Sequence, residues 1–171
     1  MKILLLSAML LCTTHALFAQ IATAKLTADF TRAKAYTKEY LDAMPEDGYA
    51  FKPTPEIRSF AQQMDHLADA NYAFISAAAG KASPFKESLE KATDQSKTAV
   101  SKAVLDSYDF VLNALKDMKD ADLEKDTKVF GKDMKVKTAF EKDFEHQTHH
   151  RGQATVYIRM KGVKPPQEML F

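Results

Sequence analysis

Apolar residues recur at three- and four-residue steps from about Ile21 to Met44: Leu26, Phe30, Ala33, Tyr36 or Thr37, Tyr40 and Leu41. That spacing lays one side chain per turn along a single helical face. The stretch MPEDGYAFKPTPE, residues 44–56, carries prolines and a glycine and predicts a loop. Thr54-Pro55-Glu56 then supplies an N-cap, a proline suited to the first helical position and an acid for the first turn. A second helix is expected from there to about Ala79, with Gly80 as its stop. Its inward stripe is Ile57, Met64, Ala68, Asn71 and Ile75. Ser83-Pro84 opens a third segment, in which helical period resumes through Val100, Val104, Tyr108, Val111, Leu112 and Leu115. A charged connector, KDMKDADLEKDTKVFGKDMK, leads to a fourth helix over about Val136 to Met160, stopped by Gly162 and Pro165-Pro166. Four long helices predict an all-α protein, a four-helix bundle. No strand is expected; TKVFGKDMKVK is at most a turn or a short extended pair.

Composition narrows the class. The chain has 171 residues, enough for one domain with a real core. Lys+Arg number 24 against 23 Asp+Glu, without a basic block, which leaves no phosphate-neutralising surface and argues against a nucleic-acid partner. The first residues, MKILLLSAMLLCTTHALFAQ, form a different pattern: Lys2 as a positive start, Ile3 to Leu11 as an apolar run, and Ala19 as a small residue at a cleavage point. That is the arrangement of a secretory signal over residues 1–19, with a mature domain over 20–171 and export, to the periplasm, as the expected localisation. A retained anchor or a buried first helix is the alternative. Cys12, the only cysteine, follows Leu11 rather than a small residue and makes a poor lipid-attachment site. The mature chain would hold no cysteine, hence no disulfide or thiol nucleophile, and no later apolar run of membrane-spanning length.

Of five histidines, His15 falls in the signal; His66, His146, His149 and His150 remain. His146 and His150 stand one helical turn apart, so their rings share a face and can grip one metal ion. On an ideal wheel of about 100° per residue, Phe140, Phe144, Gln147, Arg151, Ala154 and Ile158 form the core arc. His146 and His150 lie to one side of that arc, beside Ala139, Asp143 and Tyr157, and His149 lies opposite it. A solvated face is the plainer explanation of such a pair. Gln147 stands where an H-E-x-x-H motif needs its glutamate, which removes the zincin reading. His66 is the only source of a third imidazole. It lies opposite the stripe of its helix, beside Ser59, Ala70, Ala73 and Ala77. That position suits either a buried helix–helix contact or solvent.

Two blocks resemble the DinB family of metalloenzymes. FKPTPEIRSFAQQMDHLADANY, residues 51–72, is similar to the start of that family's second helix. HQTHHRGQATVYIRMKGVKPP, residues 146–166, is similar to its closing helix. The resemblance implies a four-helix bundle with a divalent metal on three histidines, one from the second helix and two from the last: His66, His146 and His150. It turns His66 inward, where the wheel leaves both positions open, and it leaves His149 out, in agreement with the wheel. Three neutral imidazoles leave a coordination position open; Zn²⁺ suits them best, with Ni²⁺ and Fe²⁺ acceptable. Asp143, Gln147 and Gln153 are candidates to orient the rings, and Tyr157 is a candidate proton donor unless it merely packs. Asp65 adjoins His66 but points about 100° away from it. The relatives include transferases and isomerases that use small thiols, so a metal-dependent hydrolase or thiol-type transferase acting on a small molecule is expected. An exported metal or small-ligand binding protein without catalysis is the alternative, and a bundle with vestigial histidines the third. Export departs from the cytoplasmic habit of such relatives and weighs against an intracellular thiol. A homodimer paired through helix faces is the expected partner, although no heptad specifies one.

Overall fold

The computed structural model describes the side chains of residues 22–171; the expected signal segment, with Cys12 and His15, lies outside the described residues. Helix α1 is Lys2–Ala43. Its face of Leu26, Phe30, Ala33, Tyr36, Thr37, Tyr40 and Leu41 is buried, as the spacing requires. Lys97 Nζ closes the end of α1 by donating to the carbonyls of Asp42 (2.8 Å) and Met44 (2.7 Å). These are carbonyls that a helix terminus leaves without internal partners. The following loop folds back tightly: a Cβ at Gly48 would meet Met44 Sδ, so any larger residue there requires the Met44 side chain to shift.

Helix α2 is Phe60–Ala79, beginning later than the Thr54-Pro55-Glu56 signal predicts. Residues 54–57 form a turn instead, and the helix start is tied to the loop by Phe60 N–H to Phe51 O (3.0 Å) and Ala61 N–H to Tyr49 O (2.9 Å). Ser59 and Gln62 make a capping box, which satisfies two free N–H groups and fixes the start. Ile57, placed on the inward stripe by period, is 41 % exposed because it precedes the helix. Gly80 ends α2 in the left-handed conformation, φ 63°, as expected. A single 3₁₀ turn, Leu89–Lys91, follows. It is pinned to α2 by Asp69, which accepts from Ser88 Oγ (2.6 Å) and Leu89 N (3.0 Å).

Helix α3 is Lys97–Lys116, capped by Ser96, and buries Val100, Val104, Tyr108, Val111 and Leu115. The charged connector holds a short α4, Asp120–Leu123, then strands β1 (Asp126–Val129) and β2 (Lys132–Lys135). They pair antiparallel with Asp126 opposite Lys135 and Val129 opposite Lys132. This corrects the expectation of no strands. Phe130 (φ 49°) and Gly131 (φ 78°) both take positive φ, the requirement of the tightest hairpin turn, and only Gly131 announces it in sequence. Helix α5 is Val136–Met160, with the predicted bounds. Helix α2 packs against both α3 and α5, and α1 closes the bundle against the same two helices. The architecture is all-α, four long helices with one small hairpin. Among the described residues no helix is long and apolar enough to cross a membrane.

Candidate metal centre

Docking α2 against α5 brings His66 to His146 and His150. Ring centroids are 4.7 Å apart for His66–His150, 5.3 Å for His66–His146 and 4.3 Å for His146–His150. One nitrogen from each lies within 4.8 Å of the other two. His150 is buried, His146 and His66 are half-buried, and His149 is exposed; its ring stands edge-on to that of His150 at 5.1 Å but supplies none of the three converging nitrogens. Phe74 packs behind His146 at 6.2 Å and carries Phe130 of the hairpin tip edge-on at 5.0 Å, an aromatic wall on that side of the cluster.

Each ring is held differently. Glu90 Oε1 lies 2.7 Å from Nδ1 of His66. Arg58 Nη2 lies 3.2 Å from the same nitrogen, but the nearer carboxylate only accepts, which favours the neutral tautomer with its proton on Nδ1 and the Nε2 lone pair free. Arg58 grips Glu90 in turn, Nε to Oε2 at 2.7 Å and Nη2 to Oε1 at 3.2 Å. Burial lifts the Glu90 carboxyl, but hydrogen bonds from Arg58 and His66 outweigh it and hold it below the ordinary glutamate value. His150 Nδ1 lies 2.7 Å from the side-chain amide of Gln63, a buried residue one turn before His66. His146 has its Nε2 3.0 Å from that of His150; its Nδ1 is buried without a partner.

Burial first, and then the neighbouring histidines and Arg58, push His146 down to about 4 and His150 down to about 3. Both rings are therefore neutral near pH 7, the form that ligates a cation. Two Nε2 atoms 3.0 Å apart also suit bonds of about 2.0–2.1 Å to one ion. The donor set fits a divalent metal. Beside it lies a cleft of about 680 Å³ lined by Ile57, Arg58, Gln63, Glu90, Gln153 and Tyr157, among others. Its walls thus include the partners of His66 and His150.

The remaining candidates divide. Gln147 turns into the interior, accepting from Tyr108 Oη and from Arg151 Nη1 (3.1 Å). Arg151 also reaches Tyr108 Oη and Thr37 Oγ1, each at 3.3 Å, and lies over the Tyr36 ring. This polar layer joins α1, α3 and α5 and does not touch the imidazoles. Asp143 is fully buried with both carboxyl oxygens unpartnered, and burial raises its pKa well above the ordinary value. Gln153 contacts Gln63 and His149 rather than a ring of the cluster. Tyr157 donates its O–H to Arg58 O (2.9 Å), so that proton is committed to structure. Asp65 points elsewhere, accepting from Gln95 (2.7 Å).

Sequence reasoning did not single out Glu90, Arg58 or Gln63. Gln63 was reachable, being one turn from His66 on the same face. Glu90 was not, because it sits in a stretch without period and meets His66 only in the folded chain.

A four-helix bundle whose second and last long helices converge three imidazoles belongs to the class of helical proteins with a tris-histidine centre compatible with metal binding. The sequence model described as DinB family matches residues 15–169. The chain belongs to the DinB family. It is 25% identical over 140 residues to the uncharacterized protein YjoA of Bacillus subtilis (strain 168), covering 81% of this chain and 90% of that protein. The crystal structure of a DinB-like protein from Bacillus cereus superposes with TM-score 0.73 at 21% identity, over 84% of this chain and 95% of that one. The structure of YjoA gives TM-score 0.67 at 21% identity, over 86% and 96%. These structural likenesses establish the shared fold.

Proposed function

We propose that this chain holds one divalent cation on His66, His146 and His150 and acts on a small molecule in the adjoining cleft, as a metal-dependent hydrolase or thiol-type transferase. The observation that carries the reading is the convergence of three ring nitrogens within 4.8 Å, from two helices far apart in sequence. Zn²⁺ suits an all-imidazole set at a soft-to-borderline site, and Ni²⁺ or Fe²⁺ are chemically acceptable. Such a cation supplies Lewis acidity, polarising an oxygen or stabilising a thiolate of the bound molecule.

The protein's own residues prepare that site. Glu90, held by Arg58, keeps the His66 proton on Nδ1. Gln63 meets His150 on the nitrogen away from the cluster. Phe74, with Phe130 edge-on against it, packs on the His146 side, while the cleft lies on the side of Arg58, Gln63 and Glu90. The leader pattern at residues 1–19 supports an exported, periplasmic location.

One observation favours a second reading, a carrier that binds metal or ligand without turnover. Glu90 is engaged by Arg58 and His66, and Tyr157 gives its proton to a carbonyl, so neither is free as a general acid or base. Elemental analysis by plasma emission of untagged mature protein tests the shared premise, with about one divalent ion per chain expected. A chain free of metal after growth and reconstitution in zinc, nickel and iron would refute it. Turnover of any member of a panel of esters, amides and thiol adducts then excludes the carrier.

A further inference from the structure

His150 can present Nε2 to a cation only if its proton sits on Nδ1, and the neighbour that decides this is an amide. Gln63 Nε2 occupies the position 2.7 Å from His150 Nδ1. The same Gln63 atom contacts Gln153 Oε1. Gln153 Nε2 in turn lies 2.6 Å from Nε2 of His149. The four side chains form one hydrogen-bonded line from an exposed histidine to a buried one.

Such a line has two self-consistent senses. In the first, the NH₂ of Gln63 donates to both Gln153 Oε1 and His150 Nδ1. The His150 proton then sits on Nε2, where it donates to His146 Nε2 across 3.0 Å. In the second, both amides are turned over. Gln63 then presents its carbonyl and accepts from His150 Nδ1–H and from the Gln153 NH₂, while Gln153 Oε1 accepts from His149. An amide has a donor end and an acceptor end of nearly equal size, so the reversal costs no packing. Only the second sense leaves the His150 Nε2 lone pair free.

We propose that Gln153 is a positioning residue: through the Gln63 amide it determines which nitrogen of His150 carries the proton, and hence whether that ring is ready for a cation. The inference rests on the metal reading for its consequence, but its first step is a property of the metal-free chain. Gln153 is exposed, so replacing it does not disturb the core.

The test uses two replacements of opposite hydrogen-bonding character in the full mature chain. Glu at 153 only accepts, which forces the Gln63 NH₂ toward it and fixes the first sense. Lys at 153 only donates, which fixes the second. Two-bond ¹H–¹⁵N spectra of the imidazoles in metal-free protein distinguish the tautomers: Gln153→Glu should give His150 protonated on Nε2, and Gln153→Lys on Nδ1. Zinc competition titration supplies the second readout. Gln153→Glu should weaken binding on the order of 10-fold, the lower end for loss of an outer partner, although it adds a negative charge near the cation. Simple electrostatics predicts the opposite sign. An identical His150 tautomer in both variants overturns the proposal, as does tighter or unchanged zinc binding in Gln153→Glu. If the wild-type chain takes up no divalent ion while the tautomers respond as described, the relay stands and the metal reading falls.

Discussion

Glu90 Oε1 stands 2.7 Å from Nδ1 of His66, although the two belong to different elements and Glu90 sits on a single 3₁₀ turn. The carboxylate fixes both the ring's orientation and its tautomer. Glu90→Ala should therefore weaken zinc binding about 10- to 100-fold without altering stoichiometry, the range usual for an outer partner of a ligating histidine. Competition with a chromogenic chelator measures it. Wild-type affinity in that variant would make the Glu90 contact incidental.

The histidines of α5 should separate cleanly. His150→Ala is expected to abolish stoichiometric metal uptake, whereas His149→Ala keeps it, because the His149 side chain is exposed and is not one of the three that converge. Metal content per chain after dialysis reads both. Retention of a full equivalent by His150→Ala would remove that ring from the centre.

Arg151 follows His150 directly yet serves the core. Its guanidinium bonds Thr37, Tyr108 and Gln147, and it is 5% exposed. Arg151→Ala should cost on the order of 3 kcal/mol, since it strands buried polar partners that have no access to water. Urea denaturation of the metal-free protein measures the loss. A change below about 1 kcal/mol, the scale of ordinary surface substitutions, would mean that the layer rearranges around the gap.

Asp65 gives stability a recognisable dependence on pH. Burial, only partly offset by the Gln95 hydrogen bond, raises its pKa to about 7 from the ordinary value of 3.8. The native state therefore holds the Asp65 proton more tightly than the unfolded chain does. Its contribution improves as pH falls from about 7 toward 3.8, and it opposes folding above pH 7, where the buried group must ionise. Asp65→Asn should stabilise the protein by about 1–2 kcal/mol at pH 8, a conservative share of that linkage. The gain should fade to nothing near pH 4. Denaturation midpoints across that range provide the check, and a gain independent of pH would assign the effect to packing.

The fold was legible wherever period and punctuation agreed. Helix α5 has its predicted bounds because apolar spacing, Gly162 and the paired prolines all point the same way. Helix α2 starts late because Pro55 and Glu56 imitate a helix start, while Ser59-x-x-Gln62 is the cap that tertiary bonds to the loop select. The hairpin was legible only as a turn or short extended pair, because Phe130 occupies a left-handed position that phenylalanine rarely takes. Within the site, a wheel could place His146 and His150 together and reject His149, because those relations lie within one helix. It left His66 undecided, since its facing depends on how α2 docks against α5. For the same reason Gln147, a candidate on the wheel, turned out to serve Arg151 and Tyr108.

The docking of α2 against α5 has a further consequence. His66 reaches the other two rings only while those helices remain packed, so an ion shared among them, as proposed, would act as a staple across the bundle. Unfolding must release it, and mass action then adds about 2.7 kcal/mol of resistance when free ion exceeds its dissociation constant 100-fold. On the metal-loaded chain a chelator would act as a mild denaturant, lowering its melting temperature without touching a single hydrophobic contact.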